Sequence, residues 1–226
     1  MDPTIGELVR MLDLSAVRAE CDESEVRAVA DWSRRYRCKA AFALPSLTPL
    51  LCKLLDGDEA VAVGGVVGFP AGGTTTRMKA AEAGELLGMG CREIDMVISV
   101  GLLRSGRLDE VRDDIRAVVA AAKGVPVKVI LECHYLSDEQ IRQGCACSEE
   151  GGASFVKTGT GWAPTGATLH NVRLMKACVG DRLGVKAAGG VRDLKGLLEL
   201  YRAGATRFGI GLSSAKGILQ EMEARP

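Results

Sequence analysis

A parallel α/β barrel of the (β/α)8, or TIM-barrel, class is predicted by three observations. Short apolar, β-branched runs alternate with amphipathic segments at a repeat of roughly 25–35 residues. No Gly-rich nucleotide-binding turn, linker or low-complexity stretch interrupts that rhythm. Ionisable residues stand inside or just after four consecutive apolar runs, where a barrel places its chemistry.

The strand readings are CKAAFAL (38–44), AVAVGGVVG (60–68), REIDMVI (92–98), VPVKVIL (125–131), ASFVKTG (153–159), LGVKAAG (183–189) and TRFGIG (206–211). Helical patterns fall between them at 24–37, 46–54, 77–88, 107–122, 138–150, 168–179 and 193–203. A barrel wants an eighth strand, and the short MLDL stretch at 11–14 is the candidate, ahead of the first long helix. The alternative, a doubly wound sheet, would usually carry G-x-G-x-x-G after its first strand, and none is present.

The length of 226 residues and the 47% hydrophobic content suit a single domain over 1–226 with a sizeable core. Aromatics are only 4%, so Ala, Val, Leu and Gly must build that core, as in parallel strands covered by helices. Lys+Arg and Asp+Glu both number 29, which leaves no basic excess for nucleic acid. No apolar run reaches the ~18 residues of a membrane span. The opening MDPTIGELVRMLD lacks a signal-peptide apolar region, so a soluble, cytoplasmic protein is expected. Eight dispersed cysteines then read as free thiols. Cys145 and Cys147 form a C-x-C pair without a matching second pair, which argues against a metal site.

The four interrupting residues are Asp95 in EIDMVI, Lys128 in VKVIL, Lys157 in FVKTG and Lys186 in GVKAAG. A lysine is almost never buried unless paired or functional. Any one of these residues has an ordinary reading: Lys128 could pair with Glu132, and Asp95 could neutralise a lysine. Lys157 and Lys186 on adjacent strands at similar depth have a chemical use. A lysine amine is a nucleophile only without its extra proton, and its reference pKa is about 10.4. Lowering that by ~3 units takes ~4 kcal/mol. A second cation ~5 Å away supplies roughly 3 kcal/mol at an effective dielectric of about 20, and desolvation can add the rest. The pair therefore suits Schiff-base formation, with Asp95 available to move protons.

Small-residue loops follow the last strands: T-G-T-G at 158–161, G-G at 189–190 and G-x-G-x-S-S at 209–214. Converging at one end of a barrel, they suit a phosphate, cradled by main-chain N–H groups and hydroxyls. The only histidines are His134 and His170. A metal-dependent aldolase would typically want several histidine ligands. His170 sits in a helical pattern, whereas His134 follows the fourth of the seven strand readings and could face the site.

Over roughly 11–220 the chain resembles the deoxyribose-phosphate aldolase family. The resemblance is carried by GFPAGGTTTRMKAAEA (68–83), EIDMVISVGLLRSG (93–106), KVILE (128–132), FVKTGTGWAPTGAT (155–168), GVKAAGGVRD (184–193) and AGATRFGIGLSS (203–214). It implies a (β/α)8 barrel, no metal or organic cofactor, and reversible cleavage of 2-deoxyribose 5-phosphate to acetaldehyde and glyceraldehyde 3-phosphate. Carried over by motif, Lys157 is the Schiff-base lysine, Lys186 the lysine that perturbs it, and Asp95 the relay carboxylate. Asp13 matches an early aspartate near the substrate hydroxyl, and Thr160 the threonine of the K-T-x-T-G loop. Gly161, Gly189, Gly190, Ser213 and Ser214 match phosphate-loop positions, and Lys128 is taken with the substrate-binding set. The expected partner is a small phosphorylated aldehyde or sugar, and barrels of this type are often homodimers.

The sequence departs from the family pattern at Phe42, where many members have cysteine, at Cys133-His134-Tyr135, at Ala188, and in a final loop that reads two residues longer. These departures keep a second reading open, the same Schiff-base chemistry on another acceptor or donor. A non-catalytic sugar-phosphate binder would not need the lysine pair, and an isomerase would usually need a carboxylate base or metal ligands instead.

Overall fold

The computed structural model describes residues 2–224, so residues 1, 225 and 226 of the expected 1–226 span lie outside the described part. Eight strands run parallel and close on themselves in chain order. They are β1 (Leu12–Ala16), β2 (Ala40–Ala43), β3 (Ala62–Val67), β4 (Glu93–Val97), β5 (Val127–Ile130), β6 (Phe155–Lys157), β7 (Gly184–Ala188) and β8 (Arg207–Gly211). The expected barrel is thus present, and Leu12, Asp13 and Leu14 of MLDL open its first strand.

The helices are α1 (Ile5–Val9), α2 (Glu23–Tyr36), α3 (Thr48–Leu54), α4 (Thr76–Gly88), α5 (Val100–Arg104), α6 (Leu108–Ala121), α7 (Asp138–Glu150), α8 (Leu169–Val179), α9 (Leu194–Arg202) and α10 (Leu212–Glu223). Their starts follow local chemistry. Side-chain oxygens of Thr4, Asp22, Ser137, Thr168 and Asp193 accept main-chain N–H groups of the first turns of α1, α2, α7, α8 and α9. Helices α1, α5 and α10 were not among the sequence readings. The first two span five residues each, too short for a periodic signal. Among the described residues no helix is long and apolar enough to cross a membrane.

The main apolar core lies between sheet and helices and includes Leu12, Leu14, Ile94, Met96, Val129, Val156, Val185 and Phe208 from the strands. The alternate strand residues point into the barrel, where branched aliphatic side chains would ordinarily fill the space. Here the middle of the barrel is ionic, because Asp13, Glu93, Asp95, Lys128, Lys186 and Arg207 are all buried there. Ion pairs between non-neighbouring strands, such as Lys186 with Asp95, can run only through the barrel interior.

Large inward side chains lie over glycines of the next strand. A Cβ on Gly64 would come within 2.1 Å of the Phe42 ring, and one on Gly184 within 2.1 Å of the Phe155 ring. On β8, a Cβ on Gly209 would meet the Lys186 stem at 3.1 Å. Interiors are close-packed, so bare backbone is what makes room for these side chains.

Outside the barrel, Lys79 of α4 is fully buried. Its ammonium donates to Asp114 of α6 at 2.6 Å and to the Val97 carbonyl at the end of β4 at 3.0 Å. This pair ties two neighbouring helices to the rim of the barrel. Removing one buried partner strands the other's charge, which typically costs about 3–5 kcal/mol, whereas replacing both by apolar groups can be nearly neutral. Lys79→Met should therefore lower unfolding stability by about 3–5 kcal/mol in urea titrations, and adding Asp114→Leu should recover part of that loss.

Candidate active site

A cavity of about 220 Å³ opens at the carboxyl ends of the strands. Asp13, Asp95, Lys157 and Lys186 form its floor, Thr160, Gly161, Gly189, Gly190, Ser213 and Ser214 line it, and Phe42, Val66, Phe69 and Trp162 make an apolar wall. Lys157 ends β6, and strand register puts it directly beside Lys186 of β7. Like charges so placed repel. The repulsion is relieved by one oxygen of Asp95, which accepts from Lys157 at 2.8 Å and from Lys186 at 2.6 Å.

The ionic network continues from there. Lys186 stands 2.6 Å from Asp13 Oδ2, and Arg207 binds Asp13 and Glu93. Lys128 bonds Glu93 at 2.7 Å and Asp95 Oδ1 at 3.0 Å, closing a ring of charges. Four cations (Lys128, Lys157, Lys186 and Arg207) face three carboxylates (Asp13, Glu93 and Asp95). With every group ionised the ring carries one uncompensated positive charge in a water-poor interior. Losing one proton removes it.

The titration of the ring follows its geometry. Burial alone would raise the Asp95 carboxyl, but Lys128, Lys157 and Lys186 outweigh burial and hold it well below the usual carboxylate range. Asp13 is likewise held down against burial by Lys186, Arg207 and Lys128. Burial works against charged Lys128 too, yet Asp95, Asp13 and Glu93 hold its pKa above the usual lysine value. For Lys186 burial wins, helped by Lys157 and Lys128, and draws its pKa down to about 8 despite Asp13 and Asp95. The proton that leaves most easily at moderate pH is therefore bound at Lys186, one oxygen away from Lys157.

Lys128 lies elsewhere than the sequence reading puts it. It is fully buried beneath Asp95, away from the cavity lining, and it pairs with Glu93 and Asp95 rather than Glu132. Its ammonium bonds Glu93 and Asp95, so its surroundings are those of a charge that supports the cavity floor.

Glu132 has a different task. It adopts a left-handed conformation, φ 54°, which is uncommon outside glycine. Its carboxylate accepts from the Thr160 N–H at 3.1 Å and from the Thr160 hydroxyl. Thr158 donates its hydroxyl to the Ala188 carbonyl at 2.7 Å and accepts the Ala188 N–H at 2.9 Å. The loop after β6 is thereby clipped to β5 and β7 on either side of Lys157.

Gly161, Gly189 and Gly190 have φ of +88°, +81° and +98°, a region that suits glycine. The first two pack closely, since a Cβ on Gly189 would lie 3.4 Å from the Gly161 main chain. Beside them α10 begins with Gly211 as its cap and no side-chain cap bond. Its first N–H groups are thus free to meet an anion, with Ser213 and Ser214 in the first turn.

His134 is absent from the cavity lining, and its Nδ1 contacts the Thr165 hydroxyl at 2.7 Å. His170 is exposed and sits beside Asp138. Cys133 is buried against Met175, and burial pushes its thiol up to about 12. Cys145 and Cys147 are buried free thiols. Sequence reasoning missed Glu93, Arg207 and Trp162. Glu93 had a signal, lying two residues before Asp95 and so on the same strand face. The Trp162 indole donates to the Val17 carbonyl at 2.9 Å across the cavity mouth, a contact without a local trace in sequence.

Comparison with known proteins agrees with this geometry. A family described as DeoC/LacD family aldolase matches residues 41–221. The deoxyribose-phosphate aldolase of Klebsiella pneumoniae is 46% identical over 228 residues, spanning 100% of this chain and 92% of that protein. That of Sinorhizobium medicae is 47% identical over 97% of this chain and 89% of its own. The solved structure of the tetrameric deoxyribose phosphate aldolase of Aeropyrum pernix superposes with a TM-score of 0.89 at 28% identity, covering 98% of this chain and 93% of that one. The matched span and these full-length similarities establish that the chain belongs to the DeoC/LacD family of aldolases.

Proposed function

We propose that this chain is a deoxyribose-phosphate aldolase that cleaves 2-deoxyribose 5-phosphate reversibly to acetaldehyde and glyceraldehyde 3-phosphate through an imine on Lys157. The observation that carries the reading is the shared Asp95 oxygen. It joins Lys157 to a lysine drawn down to about 8, at the floor of a cavity that ends in a glycine and serine cradle. Identity of 46–47% with relatives of that name along nearly the whole chain supports the same substrate.

In the cleavage direction the cradle takes the phosphate. Gly161, Gly189 and Gly190 turn the main chain there, and Ser213 and Ser214 supply hydroxyls at the start of α10. Asp13 Oδ2 lines the cavity and is held by the Lys186 ammonium at 2.6 Å, which keeps it in place to accept a substrate hydroxyl. Neutral Lys157 adds to the C1 carbonyl, and loss of water from the carbinolamine leaves the protonated imine. The C3 hydroxyl gives up its proton, the C2–C3 bond breaks, and its electron pair moves to the imine nitrogen as an enamine. Glyceraldehyde 3-phosphate departs, the enamine is protonated at C2, and water releases acetaldehyde from Lys157. Asp95 passes protons along this sequence, and Lys186 stores the one that Lys157 must lose. Thr160, tied to Glu132, orders the loop beside the imine. Lys128 holds Asp95 ionised from below.

No step above uses a metal, so turnover should persist unchanged in a chelator, as measured by coupled detection of glyceraldehyde 3-phosphate. Free thiols suit a reducing, cytoplasmic compartment. A homodimer is the association state we propose, with the tetramer of the Aeropyrum pernix relative as the competing outcome in light scattering.

Borohydride with acetaldehyde should fix one adduct on Lys157, located by peptide mass. Lys157→Ala should lose it and at least ~10⁴-fold in kcat, whereas Lys186→Ala should keep a weak remnant with a shifted pH profile. Wild-type turnover in Lys157→Ala would sink the mechanism. Removing both cradle hydroxyls in Ser213→Ala/Ser214→Ala should raise KM for 2-deoxyribose 5-phosphate roughly tenfold or more, since hydrogen bonds to a charged group are worth about 1.5–3 kcal/mol each. The same variant should leave turnover of unphosphorylated 2-deoxyribose nearly unchanged.

A further inference from the structure

Phe42 is a large apolar side chain in the cavity wall to which the reaction steps above give no task. It is only 2% exposed on β2, and strand register sets it beside Gly64 of β3. The ring rests on bare backbone there, with no room for a Cβ, so it is held in one place. Two ammonium groups stand over it, Lys186 Nζ at 4.4 Å from the ring centroid and Lys128 Nζ at 5.0 Å. An aromatic face carries partial negative charge and attracts cations, most strongly where water is excluded. Lys186 is 1% exposed, so water hardly competes with the ring.

We propose that Phe42 is a positioning residue of the aldolase reaction, whose ring face steadies the charged form of Lys186 and so tunes the proton exchange that Lys186 makes with Lys157 through Asp95. This role rests on the imine chemistry proposed above. The other charged groups around Lys186 come from every side of the barrel. Asp13 of β1 and Asp95 of β4 lie within 2.6 Å and favour the ammonium. Lys157 of β6 flanks it in register and opposes the ammonium, as does Lys128 of β5, while Arg207 of β8, its other register neighbour, is bound to Asp13 and Glu93. Glu93 of β4 is held by Lys128 and Arg207. An aliphatic side chain at position 42 changes none of the six and removes the ring face together with part of the packing on Gly64.

The sign of the effect is set by that face. The ring favours charged Lys186, so its loss favours the neutral amine and moves the ascending limb of the pH profile to lower pH. The expected shift is about 0.5–1 pH unit.

The test follows the rate of borohydride-trapped acetaldehyde adduct on Lys157 against pH. Three proteins are compared: wild type, Phe42→Leu, and a form with 3,4,5-trifluorophenylalanine at position 42. The fluorinated ring keeps nearly the same shape with a weakened face, so it separates charge from packing even if the leucine variant folds poorly. Wild type should rise through a midpoint near 8. Both altered proteins should rise about 0.5–1 unit lower. A midpoint unchanged in the fluorinated protein would overturn the role of Phe42 while leaving the aldolase reading intact. Absence of any trapped adduct on wild type across the pH range would instead overturn the aldolase reading, and this role with it.

Discussion

One carboxylate holds the centre of this molecule. Asp95 receives hydrogen bonds from Lys128 at one oxygen and from Lys157 and Lys186 at the other, and without it three ammonium groups would face each other in a space with little water. Isolated charges in such a place carry heavy desolvation penalties, and only a nearly complete network offsets them. The network here is complete but for one charge. Stability and reactivity therefore come from the same arithmetic: three carboxylates make four cations tolerable, and the cation left over is the source of the mobile proton. A fourth carboxylate would balance the ring and remove the surplus charge that lets a proton leave Lys186.

The scaffold keeps that balance by being stiff where the chemistry occurs. Lys157 is the last residue of its strand, and the loop beyond it is held on both sides, by Glu132 from β5 and by the Ala188 main chain of β7. Glu132 sustains its strained backbone because two donors of Thr160 converge on its carboxylate. Positioning on strand ends and clipped loops leaves the lysine little freedom to lose on reaction, which is how oriented groups gain effective concentration.

Much of this was legible in the sequence because barrel strands write their polarity plainly. A charged residue inside an apolar run stands out, and Asp95, Lys128, Lys157 and Lys186 all did. The same property hid the first strand, which is short and broken by Asp13, so that only the need for an eighth strand pointed to it. What sequence could not show is who pairs with whom. Arg207 and Asp13 are 194 residues apart and meet only because the barrel closes, and Lys128 lies under Asp95 through a strand register that the sequence does not print. Lys79 went unread for the opposite reason: on an amphipathic helix a lysine looks solvent-facing, and its burial against Asp114 depends on the packing of α4 on α6. The cradle glycines were readable as turns, while the start of α10, which completes their site, was not recognised as a helix.

The large side chains that rest on glycines carry one more consequence. Phe42 on Gly64, Phe155 on Gly184 and Lys186 on Gly209 are interlocking halves, each shaped by the absence of a side chain on the next strand. The glycine half cannot grow alone, because a Cβ there runs into the side chain across the strand boundary, whereas a smaller partner leaves only a void. A larger residue on the glycine side can thus enter only together with a smaller one across the strand boundary. Anyone reshaping the cavity by mutagenesis would find useful variants among paired libraries at 42 and 64 that single-site scanning would miss.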